Sequence, residues 1–79
     1  MDNHHIFEKI NSIVKTINSS AQITEDTALM GDSVLDSLEF MNYITKIEEA
    51  FSLTISDSEI NNLQLGIINN MITYISSRI

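Results

Sequence analysis

Seventy-nine residues without a cysteine leave room for one domain and for neither a disulfide nor a thiolate metal site. A chain this short buries only about 60–65% of the surface that its unfolded form exposes, so its core is small. Eleven acidic against four basic residues give a net charge of −7, which repels nucleic acid and anionic membranes and attracts partners with basic patches. No apolar run approaches the roughly 18 residues of a membrane span. Met1-Asp2-Asn3-His4-His5 lacks the basic region of a signal peptide, so a cytoplasmic location is expected.

Ile6, Ile10, Ile13, Val14 and Ile17 form one apolar stripe at helical spacing and predict a helix over 3–18. Asp2 or Asn3 can cap it, Glu8 suits its dipole, and Phe7 is expected beside the stripe, filling the core. Residues 19–36 hold no period of 3.6 or 2.0. So long a loop is uncommon in a small domain and is often functional. Its apolar residues Ile23, Leu29, Val34 and Leu35 are expected to pin it across the bundle.

A second helix is predicted over 37–51, with Leu38, Met41, Ile44, Ile47 and Phe51 on its inward face. Asp36 and Glu39 have the spacing of a capping box at its start. Ser52-Leu53-Thr54-Ile55 reads as a short link with Leu53 and Ile55 pointing inward. Ser56 and Glu59 repeat the capping-box spacing, which predicts a short helix over 57–63 with Ile60 and Leu63 as its apolar contacts. The last helix is predicted over 66–78. Ile68, Met71, Ile72 and Ile75 define its face, Ile67, Tyr74 and Ile79 flank it, and Arg78 sits at its C-terminal end. With no proline and no useful strand alternation, the expected fold is all-α: a four-helix bundle in a single domain, 1–79, with three longer helices and one short one.

Most chemistries lack their residues here. A serine nucleophile needs a nearby base, and the only histidines, His4 and His5, read as exposed terminal residues. Asp32, Asp36 and Glu39 could hold a hard cation weakly, but their spacing is not that of an EF-hand loop, and a solvated acidic cluster is the preferred reading. Gly31 and Gly66 are the only glycines, so there is no glycine-rich phosphate loop. Ser37 remains. Capping is the ordinary task of a serine at a helix start, yet a helix N-terminus also favours a phosphodiester. Asp36 and Glu39 oppose that charge, which makes sense if a separate enzyme reads the site.

Asp36-Ser37-Leu38 opens an acidic helix, Glu48-Glu49-Ala50-Phe51 closes it, and Leu53-Thr54-Ile55 links it to a short third helix before an ending with Tyr74-Ile75. Together, and over essentially the whole chain, these residues resemble the acyl carrier protein family. The resemblance implies a carrier with no catalysis of its own. A phosphopantetheinyl transferase, using coenzyme A and Mg²⁺, would attach 4′-phosphopantetheine to Ser37, and the arm's thiol would hold an acyl or aminoacyl group as a thioester. Asp36 and Glu39 would match positions read by the transferase. Leu38, Met41, Glu48 and Glu49 would match the surface read by acyl-loading ligases or synthases bearing basic patches. The family's fold also accommodates an acyl chain between helices; Phe7, Leu38, Met41, Ile44, Ile47, Ile68, Met71 and Ile72 are candidate lining residues, with plain core packing as their ordinary role.

The chain also departs from the family's housekeeping members. Val34-Leu35 stands where carriers of fatty acid synthesis usually read Gly-Ala, Asn42 stands where Glu is usual, and Lys46 adds a positive charge. Phe40, one turn past the serine, is expected on an exposed side as a dedicated hydrophobic contact. The stretch from Ser33 to Leu38 looks more like stand-alone specialised carriers, including D-alanyl carriers loaded by adenylating ligases. The expected protein is thus a monomeric carrier dedicated to one fatty acid, polyketide or acyl-transfer pathway. The alternatives are an aminoacyl or peptidyl carrier (whose usual Gly-Gly before the serine is absent) and, from another class, an unmodified helical interaction module.

Overall fold

The computed structural model describes residues 2–79; Met1, part of the segment read above for a leader, lies outside them. Four helices run in order: α1 Asn3–Ile17, α2 Ser37–Phe51, α3 Asp57–Asn62 and α4 Ile68–Ser76. None is long and apolar enough to cross a membrane. Each of the first three starts where a short polar side chain can take up an orphan amide. The Asp2 carboxylate accepts the His5 N–H at 2.8 Å, and Asp36 and Ser56 each form a full capping box with the glutamate three residues on.

The core lies where α1 packs against both α2 and α4. Ile6, Ile10 and Val14 enter it from α1, with Phe7, Ile13 and Ile17 half-buried at its margin. Helix α4 contributes Ile68, Met71, Ile72, Tyr74 and Ile75. Helix α2 contributes Phe40, Tyr43, Ile44, Ile47 and Phe51, and here the expected face needs correction. At about 100° per residue, the nine positions from Leu38 to Ile47 make about two and a half turns, which puts the two side chains on opposite faces. The seven positions from Phe40 to Ile47 make nearly two whole turns, so Phe40 is the residue in phase. Steps of three drift around a helix; alternating steps of three and four hold one face.

The long loop is fixed by backbone hydrogen bonds that no side-chain pattern announces. Leu29 N–H donates to the Gly66 carbonyl at 2.8 Å, and Ala28 and Ile67 form an isolated antiparallel bridge. The N–H groups of Ile68 and Asn69 donate to the carbonyls of Thr27 at 2.9 Å and Glu25 at 2.8 Å. Helix α4 has no side-chain cap for this reason: the loop supplies the acceptors that a cap would. Leu29 and Leu35 are buried, and Ile23 and Val34 pack half-buried beside them, as the loop's composition leads one to expect. Leu65, in the turn before α4, is wholly buried as well, though nothing in the spacing marks it.

Helices α3 and α4 are shorter than their patterns. No residue of α3 is fully buried; Ile60 is half-buried, and Leu63 lies past its end, exposed. Arg78 lies just past the C-cap of α4, two residues beyond the last helical residue. Its guanidinium reaches across to Glu59 of α3 at 2.8 Å and covers the Tyr74 ring at 4.5 Å. The C-terminal segment thereby clamps the least buried helix to α4.

Candidate functional site

Ser37 is the first residue of α2, exposed at the point where the loop becomes helix. The approach to it is rigidly set. Leu35 is buried, and the N–H groups of Val34 and Leu35 both donate to the Leu29 carbonyl at 2.9 Å. The Asp32 carboxylate accepts the Ala28 N–H at 2.9 Å, closing the turn before it. Ser33 takes a left-handed φ of 60°, an unusual conformation for a residue with a side chain.

Asp36 is the N-cap. Its carboxylate accepts the Glu39 N–H at 2.8 Å, and the Glu39 carboxylate accepts the Asp36 N–H at 3.0 Å. The pair therefore satisfies the amides at positions 36 and 39 and no others. Phe40 N–H donates to the Asp36 carbonyl at 2.8 Å. The N–H groups of Ser37 and Leu38, and the Ser37 hydroxyl, have no partner among the described residues. This leaves an exposed hydroxyl beside two free donors at the positive end of a helix, a place suited to a covalently held anion. Each of the two acids has one oxygen bound to an amide of the capping box.

Among the described residues no base is hydrogen-bonded to this hydroxyl. His4 and His5 lie on α1, and His4 pairs with Glu8 at 3.0 Å. Among the described residues no group of three His, Asp or Glu is placed to hold a metal ion, so Asp32, Asp36 and Glu39 do not form one.

The residues expected around Ser37 divide sharply. Leu38 is 83% exposed and Met41 50% exposed, so they stand on the surface and not among the lining residues of a core cavity. Phe40 is only 4% exposed, which corrects its reading as a surface contact. Its ring lies against Gly66, where an added Cβ would come within 3.6 Å of it. Glu49 is exposed, but Glu48 is half-buried and accepts the Ile55 N–H at 2.8 Å, so it holds the link after α2 in place. Ile44, Ile47, Ile68, Met71 and Ile72 are core residues. Beside α2, Phe40 lines an apolar groove of about 260 Å³ together with Leu29, Met30, Ile60, Gly66 and Ile67. None of the candidate lining residues named from the sequence borders it; apart from Phe40 of α2 and Ile60 and Asn61 of α3, its walls come from the long loop and the turn before α4.

A family model described as "Phosphopantetheine attachment site" matches residues 7–75. The acyl carrier protein of Onion yellows phytoplasma (strain OY-M) is 32% identical over 73 residues, covering 90% of this chain and 93% of that protein. That of Guillardia theta is 34% identical over 73 residues, covering 85% of this chain and 89% of that protein. That of Borreliella burgdorferi (strain ATCC 35210 / DSM 4680 / CIP 102532 / B31) is 30% identical over 80 residues, covering 99% of this chain and 98% of that protein. No solved structure matches.

Proposed function

The chain belongs to the acyl carrier protein family, and on that premise we propose that Ser37 is the residue that bears the prosthetic arm. The protein is a carrier and not a catalyst, and the group of its family is 4′-phosphopantetheine. When bound, that group supplies a terminal thiol on which an acyl group is held as a thioester. One observation carries the assignment: Ser37 presents an exposed, unbonded hydroxyl at the start of α2, next to the free N–H groups of Ser37 and Leu38.

The residues fit a phosphodiester at this place. The Ser37 oxygen would form the bond, and the two free amides face the charge that the bond brings. The Asp36–Glu39 capping box holds the helix start without using those amides. Buried Leu29 and Leu35 fix the incoming loop, so the serine is presented at a defined angle to a modifying enzyme. Incubation with coenzyme A, Mg²⁺ and a broad-specificity phosphopantetheinyl transferase should raise the intact mass by one phosphopantetheine. Ser37→Ala should gain nothing. A gain that persists in Ser37→Ala would move the attachment elsewhere, and no gain in the unaltered chain would favour an unmodified interaction module.

For partners, the reading is a carrier dedicated to one acyl or aminoacyl transfer pathway. Val34-Leu35 ahead of the serine supports it, as do Asn42 and Lys46, which thin the acidic face. Leu38 and Met41 offer the apolar contact next to Ser37, and Glu49 offers the acidic one, for a loading ligase or synthase with a basic patch. In a reconstituted fatty acid synthase, this carrier should turn over far more slowly than the housekeeping one; comparable rates would end the proposal.

A further inference from the structure

Tyr43 is wholly buried on α2, and its hydroxyl has no hydrogen-bond partner among the described residues. An unpaired buried hydroxyl is costly and uncommon in native structures, so it calls for a reason. The Tyr74 hydroxyl is also unpaired, but the Arg78 guanidinium covers the Tyr74 ring at 4.5 Å. Burial alone pushes the Tyr43 hydroxyl far above the ordinary tyrosine range and keeps it a neutral donor.

The Tyr43 ring packs against Phe40, with centroids 5.7 Å apart. Phe40 in turn forms part of the wall of the apolar groove between the loop at 28–31 and residues 60–67, which run from α3 to the N-cap of α4. Gly66 places no side chain against the edge of that ring. The Phe40 ring thus borders the groove and also packs on the ring that carries the orphan donor. Phe40 is also one helical turn from Ser37, so the groove lies within reach of a chain tethered there.

We propose that Tyr43 is a specificity-determining residue: with the Phe40 ring turned aside, its hydroxyl donates a hydrogen bond to a neutral oxygen, a ketone or hydroxyl, on the acyl chain carried at Ser37. The proposal rests on Ser37 as the attachment residue. An apolar chain buries its methylenes equally well but leaves the donor unpaired; a chain with an oxygen at the right carbon satisfies it. Discrimination then comes from a buried polar group that only one class of cargo completes. A carboxylate is a poor occupant, since burying a charge costs far more than burying a neutral oxygen.

The test loads the full chain with octanoyl, or with octanoyl chains bearing a ketone or hydroxyl at successive carbons, and compares melting temperatures. Intact mass establishes loading first, for the unaltered chain and for Tyr43→Phe. At least one oxygen-bearing chain should raise Tm above that of the octanoyl form by about 4 °C or more. That difference should vanish in Tyr43→Phe. Equal melting for all chains, or a difference that survives in Tyr43→Phe, overturns the proposal. Without cargo, Tyr43→Phe should melt at or above the unaltered chain; a lower Tm would mean that the hydroxyl already has a partner and would also overturn it. Absence of loading in the mass spectrum is a different failure, that of Ser37 as the attachment residue.

Discussion

Neighbouring positions on α2 carry opposite duties, and substitution should separate them. Phe40 fills the space beside Gly66 and Tyr43, so Phe40→Ala should cost about 3–5 kcal/mol in urea unfolding. Leu38 is exposed, and Leu38→Ala should change stability by less than about 0.5 kcal/mol while slowing turnover with the cognate partner enzyme. A large stability loss at Leu38 would contradict the surface placement. Glu48 and Glu49 divide in the same way. Glu48→Ala removes a charged acceptor from the Ile55 N–H and should cost about 1–3 kcal/mol, whereas Glu49→Ala should be nearly neutral in the same unfolding experiment.

At the scale of elements, helix ends hold the interpretable energies. Helix α2 ends at Ser52, whose left-handed φ of 55° suits glycine better than serine. Ser52→Gly should therefore stabilise the fold by about 0.5–1 kcal/mol, partly offset by the freer unfolded chain; a loss of stability would mean that the serine side chain has a role there. Helix α3 depends on Glu59. The Ser56 backbone N–H, helped by the Arg78 guanidinium and the Ser56 hydroxyl, holds its carboxyl below the usual glutamate range. A depressed folded-state pKa stabilises above the unfolded value and is lost as pH falls through the folded one. The unaltered chain should therefore exceed Glu59→Gln in stability at neutral pH and converge with it in acid, below about pH 4. A gap that widens on acidification would reverse the sign of this argument. The magnitude at neutral pH should be small, since the carboxylate is substantially solvated.

For the whole molecule, net charge governs encounter more than folding. Glu49→Lys should slow association with a basic partner more at low salt than at high salt, because screening acts over about 8–10 Å at physiological ionic strength. Salt-independent rates would leave recognition to Leu38 and Met41. The bundle and its helix starts could be read from the sequence because they rest on local signals: apolar residues at helical spacing, and Asp36–Glu39 and Ser56–Glu59 three residues apart. Ser37 stood out because the other chemistries lacked their residues and because Asp36-Ser37-Leu38 resembles the attachment motif of the acyl carrier protein family. The orientation of the second helix, the burial of Phe40 and Leu65, and the pairing of Glu48 with Ile55 escaped such reading. Several faces of α2 are apolar, and only contact with α1 and the loop decides which one goes inside. Helical spacing and capping chemistry, encoded within a few residues, were enough to determine four helices, and a short motif resembling a known family marked the candidate serine. The groove, the docking of Leu29 on Gly66 and the isolation of the Tyr43 hydroxyl join positions far apart in the chain, so only tertiary packing could decide them.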